Sequence, residues 1–146
     1  MVSITYLFDP LCGWCYGAAP ALRRISAMPG VTLALAPSGL FAGAGSRPLD
    51  AGFAAYAWSS DQRIAQLTGQ RFTERYRTQV LADSGAWLDS GPATLALTAV
   101  HLSAPEHELA ALHAILEARY VDGRTITDTT VLADVLRGLD LDAAAT

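Results

Sequence analysis

The chain has no lysine, only two cysteines and only three histidines among its 146 residues. All ten basic residues are arginine. Chemistry that needs a lysine amine, such as Schiff-base formation or the lysine of a phosphate-binding loop, is therefore excluded. Two cysteines are too few for a disulfide-dense scaffold. A structural zinc site usually wants four ligands, and His101, His107 and His113 are scattered away from the cysteines. No run of about 18 apolar residues marks a membrane span. Charged residues make up 16% and the net charge is −4, which argues against a nucleic-acid-binding face. No pair of carboxylates stands at acid–base spacing.

The remaining composition is that of one folded domain: 51% hydrophobic, and long enough for a core. Strand-like sequence already begins at Val2, which leaves no room for a charged leader region, so the expected location is cytoplasmic. In a reducing compartment a cysteine pair reads as catalytic or metal-binding before it reads as a staple.

Val2–Phe8 (VSITYLF) predicts a buried strand, broken by Asp9-Pro10. A helix is expected from about Cys12, with Ala18, Leu22 and Ile25 on one face, a kink at Pro20 and a stop at Pro29-Gly30. Val31–Ala36 predicts a second strand, hence a βαβ unit with parallel strands. Residues 37–49 are glycine-rich without phosphate-binding spacing and read as a connection.

From Asp50 the pattern turns helical, with no further strand expected. Ser59-Ser60-Asp61-Gln62 offers a capping box and Gly69 a stop. Phe72, Tyr76 and Val80 form a helical stripe, and Ser90-Gly91-Pro92 opens an apolar segment that should be a buried helix. Ser103-Ala104-Pro105-Glu106 offers a second capping box before Leu109, Leu112, Leu116 and Tyr120, with Gly123 as the stop. Thr127-Asp128 caps a last helix through Val131, Leu132, Val135 and Leu136 to Gly138. Trp58, Trp87, Phe72 and Tyr76 read as core and His107 and His113 as structural, while His101, in the apolar helix, could go either way. The expected division is 1–49 for the βαβ part and 50–146 for the helical part. Two parallel strands alone make a poor sheet, so either more chain or a second copy, giving a homodimer, is expected to complete it.

The two cysteines sit three apart at the strand-to-helix junction, in Cys12-Gly13-Trp14-Cys15. At i and i+3 on a first helical turn they are close enough to form and break a disulfide. Unpaired amides and the helix dipole favour a thiolate on the first, so Cys12 is the expected nucleophile with a lowered pKa. Cys15, one turn further in, is the expected resolving thiol, releasing a mixed disulfide on Cys12. Gly13 and Trp14 would influence the thiolate. Asp9 reads chiefly as a turn residue, with an effect on thiol ionisation as the sharper reading. No metal and no cofactor beyond the redox-active dithiol is implied.

The stretch from Phe8 to Pro20, FDPLCGWCYGAAP, resembles the active-site stretch of bacterial DsbA-family thiol–disulfide oxidoreductases, nearest to the branch described as protein-disulfide isomerases. Arg63–Gly69 (RIAQLTG) and Tyr120–Arg124 (YVDGR) are similar to that branch as well. The resemblance implies an α/β, thioredoxin-like fold with an inserted helical domain. It implies Cys12 and Cys15 as the catalytic pair, with Asp9, Pro10, Gly13, Trp14 and Tyr16 as active-site neighbours. It also implies a cis-proline loop, further strands and a helix after the helical part. None of the seven prolines suits that loop, so the C-terminal strands and helix are expected to be absent. The expected function is thiol–disulfide exchange, or disulfide isomerisation, on a protein or small thiol, with no nucleic acid and no membrane as partner. Two alternatives stand beside it: a kappa-class-like glutathione transferase or isomerase on the same fold, which normally lacks the second cysteine, and a non-catalytic dimeric interaction module.

Overall fold

A computed structural model describes residues 1–141. Residues 142–146, the end of the expected helical part, lie outside the described residues. The chain opens with strand β1 (Val2–Phe8), short helix α1 (Gly13–Gly17), helix α2 (Ala19–Ser26) and strand β2 (Val31–Pro37). The two strands pair in parallel, from Val2 opposite Val31 to Phe8 opposite Pro37. The expected βαβ unit is therefore present. The kink expected at Pro20 is realised as a break at Ala18. Pro20 has no N–H for the carbonyl of Tyr16, four residues back. The side-chain amide of Gln70 donates to that carbonyl instead, at 3.1 Å. Gly30, at φ +76, turns the chain into β2.

The helical part comprises α3 (Ala51–Thr68), a π-helical segment (Tyr76–Leu81), α4 (Gly91–Ser103), α5 (Glu108–Tyr120) and α6 (Thr129–Arg137). Gly69 ends α3 in the left-handed conformation, and the Asp128 carboxylate caps α6 by accepting from Thr130 N at 2.8 Å. The i→i+5 winding keeps Tyr76 and Leu81 on one buried face. Helix α5 is the centre of the packing: Ala111, Leu112, Ile115 and Leu116 are fully enclosed. One core cluster joins Phe8, Leu11, Cys15 and Tyr16 of the βαβ unit to Ile64, Tyr76, Leu112 and Tyr120 of the helices.

Several expectations need correction. Helix α3 begins at Asp50, whose carboxylate accepts from Phe53 N at 2.7 Å, so Ser59–Gln62 is helix interior and caps nothing. Ser103 closes α4 by donating to Ala99 O, and a 3₁₀ turn at Pro105–His107 leads into α5 without a side-chain cap. Two further strands exist, β3 (Arg47–Pro48) and β4 (Trp87–Leu88), paired antiparallel. At two residues each they carry no periodic signal. Among the described residues β1 has a partner on one side only, and Val2 and Leu7 are exposed, so it is not a buried strand. Helix α4 buries Ala93, Ala96, Leu97 and Val100 but exposes Leu95 and Leu102. Phe72 and Tyr76 are core as expected, whereas Trp87 is exposed.

Candidate active site

The site is built where β1 ends. Asp9 turns the chain: its Oδ1 accepts from Leu11 N at 2.8 Å, and its backbone oxygen accepts from Cys12 N at 3.1 Å. Its Oδ2 accepts from Phe41 N at 3.1 Å, which fastens the glycine-rich segment beside the cysteines. Pro10 is buried. The turn reading of Asp9 therefore describes where its carboxylate goes. The result is Cys12 as the N-cap residue of α1, half-buried, and Cys15 in the first turn, 8% exposed.

No disulfide joins the two cysteines. The contact between their side chains is the largest cause of both their pKa shifts. The Cys15 thiol falls to about 6 through the contact with Cys12, against the opposing effect of burial; the Tyr6 hydroxyl and the Asp9 amide also favour its thiolate. Cys12 is pushed up by the same contact and by burial, while the amides of Cys15 and Trp14 pull it down. The backbone amides at the start of α1 act on Cys12 in the expected direction, and the contact with Cys15 acts against them. With one thiol lowered and its partner raised, the pair favours a single negative charge. Cys12 is the more open of the two.

Trp14 stands 51% exposed at the rim. Tyr16 points inward: its hydroxyl donates to Arg71 O at 2.8 Å, and its ring stacks on Tyr120 at 5.1 Å. Gly13 is a packing necessity, because a Cβ there would meet Asp61 Oδ1 at 2.5 Å. A cavity of about 240 Å³ opens at Cys12, with Leu40, Phe41, Phe53 and Tyr56 among its apolar walls. At its inner end lie four buried polar residues, Asp61, Tyr76, Arg119 and Tyr120. Tyr76 OH donates to Asp61 Oδ2 at 2.5 Å. Burial raises the Asp61 carboxyl to about 6, against the pull of Tyr76 and Arg119.

Sequence reasoning missed Tyr6, Asp61, Arg119, Tyr120 and the wall made by Leu40 and Phe41. Two of these were readable in principle. Asp61 falls on the α3 stripe with Ala57 and Ile64, and Arg119 falls on the α5 stripe with Leu112, Ile115 and Leu116, where a charge is out of place. The histidines stand apart from the cavity. His101 pairs with Glu108 at 2.6 Å, and His113 contacts Arg23 at 3.3 Å, its pKa pushed down to about 4 by burial and then by that arginine.

No protein-family model matches the chain, and no curated protein matches it; the matches come from solved structures. The cytosolic disulfide reductase DsbM of Pseudomonas aeruginosa is 37% identical, with a TM-score of 0.88 over 99% of this chain and 68% of its own. The same reductase solved with GSH gives a TM-score of 0.87 at 37% identity, over 99% of this chain and 69% of its own. A structure from Nitrosomonas europaea, described as a protein disulfide isomerase, is 26% identical with a TM-score of 0.84, over 98% of this chain and 67% of its own.

Proposed function

Since the chain belongs to the DsbA family of thiol–disulfide oxidoreductases, we propose that it works as a reductase of disulfides through Cys12 and Cys15. The observation that carries this is the pair of free cysteines three apart at the start of α1, with the first sulfur within reach of solvent. The Cys12 thiolate attacks one sulfur of a substrate disulfide, and the other leaves as a thiolate that takes up a proton. A mixed disulfide now links Cys12 to the substrate. The Cys15 thiolate then attacks the Cys12 sulfur and expels the second substrate thiol. Two electrons pass to the substrate, and the enzyme is left with a Cys12–Cys15 disulfide for an external thiol to reduce.

Tyr6 supports the step in which Cys15 acts, by offering its hydroxyl to that sulfur. Asp9 and Pro10 hold the junction, Gly13 lets α3 pack close, Trp14 flanks the mouth and Tyr16 anchors the helix behind it. Residues 1–49 carry the reactive pair, and the helical part from residue 50 encloses the cavity beside it. The reductive direction and a cytosolic setting follow the printed name of DsbM, and a small thiol partner follows that protein's structure with GSH. No helix among the described residues is long and apolar enough to cross a membrane.

The reading is tested by turnover of insulin and of glutathione disulfide. Cys12→Ser should abolish both activities. Cys15→Ser should stall with substrate held on Cys12, visible as added mass. Undiminished reduction in Cys12→Ser would overturn the assignment.

A further inference from the structure

Asp61 is a buried carboxyl with one oxygen tied and the other free. The residue is 4% exposed, and its Oδ2 accepts from Tyr76 OH. Among the described residues Oδ1 accepts no hydrogen bond, and no arginine or histidine nitrogen lies within 4 Å of the carboxyl. Oδ1 lies against the cysteine loop, where a Cβ on Gly13 would stand 2.5 Å from it. Asp61 and Cys12 line the same cavity. Because Tyr76 donates to Oδ2, a proton carried by this carboxyl sits on Oδ1, the oxygen beside the loop. A structural anchor for Tyr76 needs only one of the two oxygens. The free one sits where a proton has to be delivered, since the substrate sulfur that Cys12 expels leaves as a thiolate, and thiols of high pKa leave slowly.

We propose that Asp61 is the general acid of the first half-reaction, passing the proton on Oδ1 to the substrate sulfur that Cys12 displaces. The assignment rests on the thiol–disulfide reading above. The Cys12–substrate bond forms as the substrate disulfide breaks; the electron pair goes to the departing sulfur, and the Asp61 proton moves onto it. Asp61 is left as a carboxylate, stabilised by Tyr76 and Arg119, until water at the open mouth restores its proton. The groups that face it are Cys12 of α1, Tyr76 of the π-helical segment, and Arg119 and Tyr120 of α5. Burial pushes both tyrosines up, so neither gives up a proton near neutral pH. Arg119 keeps its charge throughout. Asp61, held at about 6 by burial against the pull of Tyr76 and Arg119, is the one that exchanges a proton there. The apolar walls of Leu40, Phe41 and Phe53 limit delivery from solvent.

Reduced protein is mixed with two uncharged disulfides, and the loss of free thiols is followed by alkylation and mass. Dipyridyl disulfide releases an acidic thiol that departs without a proton; hydroxyethyl disulfide releases a weakly acidic one that needs it. Asp61→Asn should widen the ratio of the two rates about 100-fold, the low end of general acid catalysis. Asp61→Glu, which keeps a carboxyl, should restore most of the original ratio. An unchanged ratio in Asp61→Asn would overturn the role, because a merely structural defect slows both disulfides alike. In the unaltered protein the hydroxyethyl disulfide rate should peak near pH 6, where thiolate and acid coexist, and fall above it. A rate that stays level up to about pH 8 would overturn the role too, and this profile needs no variant to fold. Failure of both disulfides to react would refute the thiol–disulfide reading itself.

Discussion

The thiol pair should lose its first proton near pH 6, and the consequence for reactivity can be worked out. The Cys15 thiol moves from 9.0 to about 6. At pH 7 such a pair is about 90% ionised against about 1% for an ordinary cysteine, roughly 90-fold more thiolate. Nucleophilicity falls with pKa at a Brønsted slope of about 0.4–0.5, so three units cost about 15- to 30-fold toward a disulfide. The net advantage at pH 7 is therefore only about three- to sixfold. The profile discriminates better than the rate. Below pH 6 both sulfurs are protonated and reaction ceases; above pH 7 the rate is flat, where an ordinary cysteine would still be climbing. Iodoacetamide labelling between pH 4.5 and 9.5, with the modified residue identified by mass, should place the label on Cys12 and the inflection near 6. The label goes there because the pair shares one charge and Cys12 is the open sulfur. Cys15→Ala deletes the leading cause of the shift, so its inflection should rise by more than a unit. A single inflection near 9 in the unaltered protein, or an unmoved one in Cys15→Ala, would refute the shared-charge account.

Asp9→Ala strands the buried amides of Leu11 and Phe41, at about 1–3 kcal/mol each. Urea unfolding should show a loss of about 2–5 kcal/mol, with Asp9→Asn milder, and a loss below about 0.5 would contradict the bonding described. Gly13→Ala drives a methyl group against Asp61 Oδ1 and, at 3.2 Å, against Ile64 Cδ1, for an overpacking cost of about 1–3 kcal/mol. Adding Asp61→Ala should recover part of that loss, giving a coupling of about 0.5–3 kcal/mol between the two positions in a double-mutant cycle. Strict additivity would mean that the carboxylate does not oppose the methyl.

The redox junction was legible because its signals are local. A β-branched and aromatic run, a break at Asp9-Pro10 and two cysteines three apart all fall within fifteen residues. Glycine and aspartate punctuation likewise announced the ends of α3 and α6. The inner half of the site was not legible in this way. Asp61 meets the cysteine loop across about fifty residues, Arg119 lines the same cavity from more than a hundred residues away, and no window along the chain joins them. Asp61 was also hidden by a competing pattern. Ser59-Ser60-Asp61-Gln62 has the composition of a helix start, but Asp50 had already supplied the cap, and an interior serine or aspartate keeps the same letters. Only the mismatch between a charge and its apolar stripe distinguished the two meanings. The direction of the thiol shifts was also beyond the sequence. It is set by the contact between the two thiols and by Tyr6 on the preceding strand.

Tyr16 follows Cys15 directly and is gripped twice by one bend of the chain some 55 residues away. Gln70 takes its main-chain oxygen and the Arg71 carbonyl takes its hydroxyl. On the proposed mechanism, the lifetime of a captured substrate should depend on the stiffness of the 69–71 corner as well as on sulfur acidity. Slackening that corner would let the second sulfur drift out of line with the first, and the enzyme would hold its catch longer without becoming any less acidic.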